Sequence, residues 1–231
     1  IDNDVPFVSR TFGYLTAVEE AVKVITCAHM EAHSVQNGIS IVKLMGRNAG
    51  FIAASATVAS QDVNFCLVPE VPFALEGERG FLAALKHRVL KRSHAVIVVA
   101  EGAGQDLVGA SAERDASGNV KLTDIGLFLK ERVAAYFKAE RVPVTIRYID
   151  PSYIIRSVPA DAEDALLCDR FARDAVHAAM AGKTGLVIGL LHDQFIHVPI
   201  QLLATQRKQL DPHGLAWRSV LAATGQPAGF L

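Results

Sequence analysis

Cysteine is too scarce in this chain to brace it. Its 231 residues include three, Cys27, Cys66 and Cys168, far apart in apolar surroundings and without a C-x-x-C pair. An odd, sparse count argues against a disulfide framework and suits a reducing compartment; each thiol reads as a small buried hydrophobe. An excess of one charge is missing too. The net charge is −1, so no global basic field points to nucleic acid or to an anionic membrane, and an anionic ligand must be held by local arginines. No apolar run reaches the length of a membrane span and no leader precedes Ile1, so the expected location is cytoplasmic. A start at Ile suggests an excised or processed piece. Internal repeats and low-complexity tracts are absent. What remains, 51% hydrophobic and 20% charged, is an ordinary globular composition, long enough for one large domain or two small ones.

The hydrophobic pattern alternates between helical and strand periods. Val18, Ala21, Val22, Ile25, Ala28 and Met30 recur at helical spacing within 16–35, and Thr16 followed by Glu19 predicts a capping box at that helix's start. Strands are expected at 38–46, 63–70, 94–102, 142–150 and 185–191, with FIHVPI pairing back across HDQ. Helices are expected after each of the first three, then from about Ala162 to Ala181 after the fourth, and over LAWRSVLAAT at the end. Continuous apolar runs such as HAVIVVAEG suit strands buried on both faces. Together these predict a three-layer α/β fold, a mostly parallel sheet with helices on both faces. The stretch 102–121 is the one long irregular region. Ligands in such folds gather beyond the carboxyl ends of strands. That rule selects Asp2 and Asp4, Met45-Gly46-Arg47, Glu70, Glu101-Gly102, and 150–156.

Several familiar motifs fail on inspection. MAGKT lacks the first glycine of a P-loop and has a helix before it rather than a strand, so Gly182 reads as a helix C-cap. HMEAH puts His29 and His33 one turn apart, but Met30 stands where a zinc protease needs glutamate, and two partly exposed helix histidines are the better reading. His87, His94, His177 and His197 have no partners assignable from sequence. Neither a G-x-S-x-G elbow nor a dinucleotide-binding G-x-G-x-x-G is present.

IDND, MGRNAGFIA, VPE, AEGAGQDL and DPSYIIR, in that order, resemble the phosphofructokinase family, above all its long-chain branch with plant and trypanosomatid members. The terminal Gln226-Pro227 and Phe230-Leu231 fit that branch's tail. The resemblance implies a phosphofructokinase-like fold of one lobe plus part of another. The sugar-phosphate lobe would span about 14–155, and 156–231 would return to pack partly on a lobe outside this chain. It implies phosphoryl transfer from ATP or pyrophosphate, with Mg²⁺, to the 1-hydroxyl of fructose 6-phosphate. By the same resemblance Asp2 is the proton acceptor and Asp4 its partner at the metal. Met45, Gly46 and Arg47 touch the sugar phosphate and the moving phosphoryl group, and Glu101 holds sugar hydroxyls. Tyr153 and Arg156 grip the 6-phosphate. Arg147 would reach a neighbouring subunit, which implies a homodimer or homotetramer.

The sequence also departs from that family. A second subunit-crossing arginine would align near Gly38, which offers no side chain. VPEVPF differs in charge from the short-chain effector region, so no regulation is carried over. The Gly-rich donor loop lies N-terminal to IDND in the family and is not in these 231 residues, so the piece is expected to be inactive alone. Rival readings are a sugar-phosphate sensor without a donor site and a lipid or nucleoside kinase of the same superfamily.

Overall fold

The computed structural model describes residues 1–109 and 122–230. The elements run α1 (Tyr14–His33), β1 (Gly38–Leu44), α2 (Phe51–Ser60), β2 (Phe65–Leu67), α3 (Phe81–Arg92), β3 (His94–Ala100), α4 (Gln105–Val108), α5 (Ile125–Ala139), β4 (Thr145–Ile149), α6 (Ser152–Ile155), α7 (Ala162–Met180), β5 (Leu186–Leu191), β6 (Gln194–Pro199), α8 (Ile200–Leu203) and α9 (Leu215–Thr224). Part of the expected irregular stretch is therefore helical, as α4; residues 110–121 of it lie outside the described residues.

Four strands form a parallel sheet in the order β2-β3-β1-β4. Alternation along each strand sorts side chains into two cores. Val42, Leu44, Val96, Val98 and Ala100 pack with α1, α2 and α9. Ile39, Ile41, Ala95, Ile97 and Val99 pack with α3 and α5. The expected three layers follow. The connection from β1 to β2 crosses one face through α2, and those from β2 to β3 and β3 to β4 cross the other through α3 and α5, as right-handed crossovers require.

The start of α1 differs from the expected capping box. The helix begins at Tyr14 after Gly13, and Thr16 lies inside the first turn. Its amide and hydroxyl both donate to Asp164 Oδ2 of α7, at 2.8 and 2.7 Å. A carboxylate 148 residues away thus satisfies an orphan donor that a local side chain was expected to take. Asp164 is 1% exposed, so this contact joins α7 to the main body in the interior. At its other end α7 closes as a Schellman motif: Gly182 (φ 74°) donates to Ala179 and Lys183 to Ala178, which bears out the C-cap reading.

β5 and β6 form a separate antiparallel hairpin. Its turn is two residues, His192 and Asp193, both at positive φ as a type I′ turn demands; Gln194 belongs to the strand. The Ser9 amide donates to the Leu190 carbonyl at 2.7 Å, so the segment after IDND lies along this hairpin. The C-terminal end instead returns to the main sheet. Trp217 and Val220 join the α1–α2 core, and Phe230 packs among Phe65 and Phe81 on the other side. Between them the Gln226 side chain accepts from the Cys66 amide (2.7 Å) and donates to the Cys66 carbonyl (3.2 Å) on edge strand β2.

Candidate active site

The loops leaving β1 and β3 meet at the carboxyl end of the sheet. The Glu101 amide donates to the Leu44 carbonyl at 2.9 Å, and Gly102 to that of Gly46 at 3.1 Å. Two glycines make this approach possible. Gly46 adopts φ 129°, where side chains are strained, and a Cβ on Gly102 would stand 1.9 Å from the Arg47 carbonyl oxygen. The same loops bring Arg47 and Glu101 to one place.

Asp2 joins them from the N-terminal segment. Asn3, buried at φ 58°, turns the chain between the two acids, and its Oδ1 accepts from the Thr11 amide at 3.1 Å. Burial raises the Asp2 carboxyl above the usual range; Asp4 adds to this, and Arg47 opposes it. Glu101 is also raised, by burial and then by the charge of Asp2, with Arg47 and Lys43 opposing. Two acids and one guanidinium therefore share a field. Asp2 Oδ1 is buried with no hydrogen-bond partner among the described residues, so the pocket holds acceptor capacity that the fold does not use.

Lys43, which sequence reasoning did not single out, ties this cluster to the Tyr153–Arg156 turn. Its ammonium sits 2.9 Å from Asp124 and 2.8 Å from Asp150, and Tyr148 donates to Asp124. Asp124 caps α5 through the Gly126 and Leu127 amides, while Asp150 accepts from the Ser152 amide and hydroxyl at the start of α6. One cation thereby fixes β1, α5 and α6 together. A lysine inside ISIVKLM was the available signal. Tyr153 and Arg156 project outward, the guanidinium 4.9 Å over the ring, with Tyr153 77% exposed. Arg147 is not brought to the cluster. It lies on β4, at the edge of the four-stranded sheet, and pairs with Glu31 of α1 at 3.0 Å. At Gly38 a Cβ would stand 2.1 Å from the Ala32 carbonyl oxygen, so this backbone has no room there for an arginine.

The phosphofructokinase family model matches residues 1–179. The chain belongs to the phosphofructokinase family. It is 50% identical over 234 residues to an ATP-dependent 6-phosphofructokinase of Borreliella burgdorferi, covering 98% of this chain and 52% of that protein. It is 50% identical over 227 residues to one of Trypanosoma brucei brucei, covering 97% of this chain and 46% of the relative. Against a chloroplastic ATP-dependent 6-phosphofructokinase of Arabidopsis thaliana the identity is 45%, over 98% of this chain and 42% of the relative. The chain thus spans about half the length of the curated relatives it matches. Among solved structures, a pyrophosphate-dependent phosphofructokinase from Marinobacter aquaeolei superposes with a TM-score of 0.70 at 21% identity, over 99% of this chain and 59% of that one. The resemblance carried by IDND, MGR, AEG and YIIR is borne out, as is the parallel α/β fold.

Within this phosphofructokinase sequence the motifs set aside earlier stay apart from the strand-end cluster. His29 and His33 meet His94 with ring centroids 4.5 to 5.6 Å apart, at the sheet end where β3 begins. His94 Nδ1 lies 3.0 Å from the Arg92 carbonyl, and Arg88 stands 3.5 Å from its other nitrogen. Among the described residues no group of three or more His, Cys, Asp or Glu is placed to hold a metal, and no helix is long and apolar enough to cross a membrane.

Proposed function

We propose that this chain is the sugar-phosphate half of a cytoplasmic phosphofructokinase that phosphorylates the 1-hydroxyl of fructose 6-phosphate, with ATP or pyrophosphate as donor. The observation that carries the proposal is the convergence of Asp2, Arg47 and Glu101 at the strand ends, with both acids raised by burial. A raised carboxylate is a better proton acceptor near neutral pH. Asp2 takes the proton of the 1-hydroxyl as its oxygen bonds to the terminal phosphorus and the bond to the leaving phosphate breaks. Arg47 offsets charge on the transferring phosphoryl oxygens. Glu101 accepts from sugar hydroxyls, with Met45 and Gly46 forming the adjoining wall. Tyr153 and Arg156 hold the 6-phosphate, and their exposure leaves that end open to a ligand.

The orphaned Asp2 oxygen and the nearby Asp4 suit Mg²⁺, which takes one or two carboxylates and completes its shell with donor phosphate and water. Asp4 would be its protein ligand, and the ion would neutralise donor charge. Arg147, on an edge strand, serves a neighbouring subunit of a homodimer or homotetramer. The segment from about 156 packs partly on a second lobe, consistent with the exposed Leu166, Val176 and Met180 on α7. The test is calorimetry on the 231-residue chain. Fructose 6-phosphate is expected to bind at least tenfold more tightly than fructose, and Arg156→Ala to remove the difference. Equal binding of the two sugars would overturn the assignment, and robust turnover by this chain alone would overturn the division into halves.

A further inference from the structure

Between α8 and α9 the chain crosses the strand ends as an irregular segment, 204–214, and its middle is pinned at alternate residues. The Lys208 amide donates to the Asp4 carbonyl at 3.0 Å. Its ammonium donates to the Val8 and Ser9 carbonyls at 3.1 and 2.9 Å and lies 5.1 Å over the Phe51 ring. Two residues on, the Leu210 amide donates to Glu70 Oε1 at 2.9 Å, and the Leu210 side chain is 3% exposed. Glu70 also accepts from the Gly50 amide at the start of α2. Lys208 and Leu210 thus face the body of the protein.

The alternate residues face the other way. Arg207 and Gln209 line a cavity of about 480 Å³ with Arg47, Asn48, Gly102 and Gln105. Among the described residues no carboxylate lines it, and Arg207 has no hydrogen bond or ion pair to them. The Gln105 amide is taken up by the Glu101 and Thr123 backbone, so two guanidiniums and the side-chain amides of Asn48 and Gln209 make the lining donor-rich and cationic. Its chemistry matches a multiply charged oxyanion, and the planar guanidinium fork meets phosphate oxygens in pairs. Arg47 places the hollow beside the reacting cluster.

We propose that Arg207 and Gln209 form, with Arg47, a subsite for the condensed phosphate of the phosphoryl donor. The C-terminal part of the chain then supplies donor contacts, not only sugar-phosphate contacts. Because Lys208 is bonded to the Asp4 carbonyl, the same segment sets the distance between the acid loop and the donor. This inference rests on the phosphofructokinase reading and extends it.

The experiment titrates the 231-residue chain separately with pyrophosphate, tripolyphosphate, ATP and fructose 6-phosphate by calorimetry at low ionic strength. Arg207→Ala is expected to weaken the condensed phosphates about tenfold, the loss of one charge-assisted hydrogen bond, and Gln209→Ala to weaken them two- to threefold. Fructose 6-phosphate affinity is expected to stay within about twofold, with the melting temperature of both variants unchanged. ATP binding tighter than tripolyphosphate assigns the subsite to a nucleotide's phosphates; ATP no tighter assigns it to the inorganic chain. Condensed phosphates that do not bind, or bind Arg207→Ala as well as the parent, overturn the proposal, as does a loss confined to fructose 6-phosphate. Tight condensed-phosphate binding that depends on Arg207, without any fructose 6-phosphate binding, would sink the functional reading and leave an anion site.

Discussion

Burial alone would raise the carboxyls of Asp124 and Asp150. The Lys43 ammonium between them, together with hydrogen bonds from Leu127 and Tyr148 to Asp124 and from Ser152 to Asp150, more than reverses this, and both end below the ordinary aspartate value of 3.8. A depressed folded value contributes stability that is present above 3.8 and lost as pH falls through the lowered value. Lys43→Met leaves two partly buried carboxylates unpaired. Removing a partner of a fully buried pair costs about 3–5 kcal/mol; with the acids about a third exposed, about 2 kcal/mol is expected here near neutral pH. Urea titrations at pH 7, 5 and 3 would check this, since the gap between variant and parent should narrow below 3.8. An equal gap at pH 3 would show that Lys43 acts by packing. The residue was hard to value from sequence because one partner lies 81 positions away, and a lone lysine in a strand ordinarily marks a solvent-facing position. Arg47, Glu101, Tyr153 and Arg156 were easier to name because each follows an apolar strand, and Asp2 because it stands in the IDND motif. Electrostatic coupling of Asp2, Arg47 and Glu101 required coordinates.

Among the elements, α1 shows where local pattern and tertiary structure part. Thr16 and Glu19 satisfy the capping-box spacing, yet the helix starts two residues earlier and its Thr16 amide is taken by Asp164. Glu19 is left on the surface beside Lys23. Glu19→Ala is therefore expected to change stability by no more than about 0.5 kcal/mol. Asp164→Ala, which strands two buried donors, is expected to cost about 2 kcal/mol. Chemical denaturation of the two variants separates the readings, and a larger loss at Glu19 would restore the capping box. The strongly periodic elements were legible almost to the residue. α9 falls on LAWRSVLAAT, and β3 on the apolar run of HAVIVVAEG, because burial and period agree there. Strand β2 is shorter than VNFCLVPE suggested, with only Phe65–Leu67 paired, since its apolar flanks are buried without ladder partners on β3.

For the molecule as a whole, the two ends of the chain differ in how well they are covered. The four-stranded sheet is enclosed by helices, while α7 and the hairpin leave Leu166, Val176, Met180 and Val187 exposed beside an apolar hollow of about 540 Å³ lined by Phe12, Phe171, Leu186 and Ile188. Apolar surface of that kind promotes association. The 231-residue chain is expected to self-associate at micromolar concentration, and the double substitution Leu166→Glu with Val176→Glu to shift it toward monomer. Sedimentation velocity over a tenfold concentration range reads the difference, and a concentration-independent monomer in the parent would refute it. The opposite edge is guarded. By engaging both backbone groups of Cys66, the Gln226 amide acts as a counterfeit peptide unit on β2, a single plug in the row of donors and acceptors that another chain's strand could otherwise read. That plug makes the tail a safeguard against fibrillar growth: clipping the last six residues would unlatch a templating edge before it disturbed the active site.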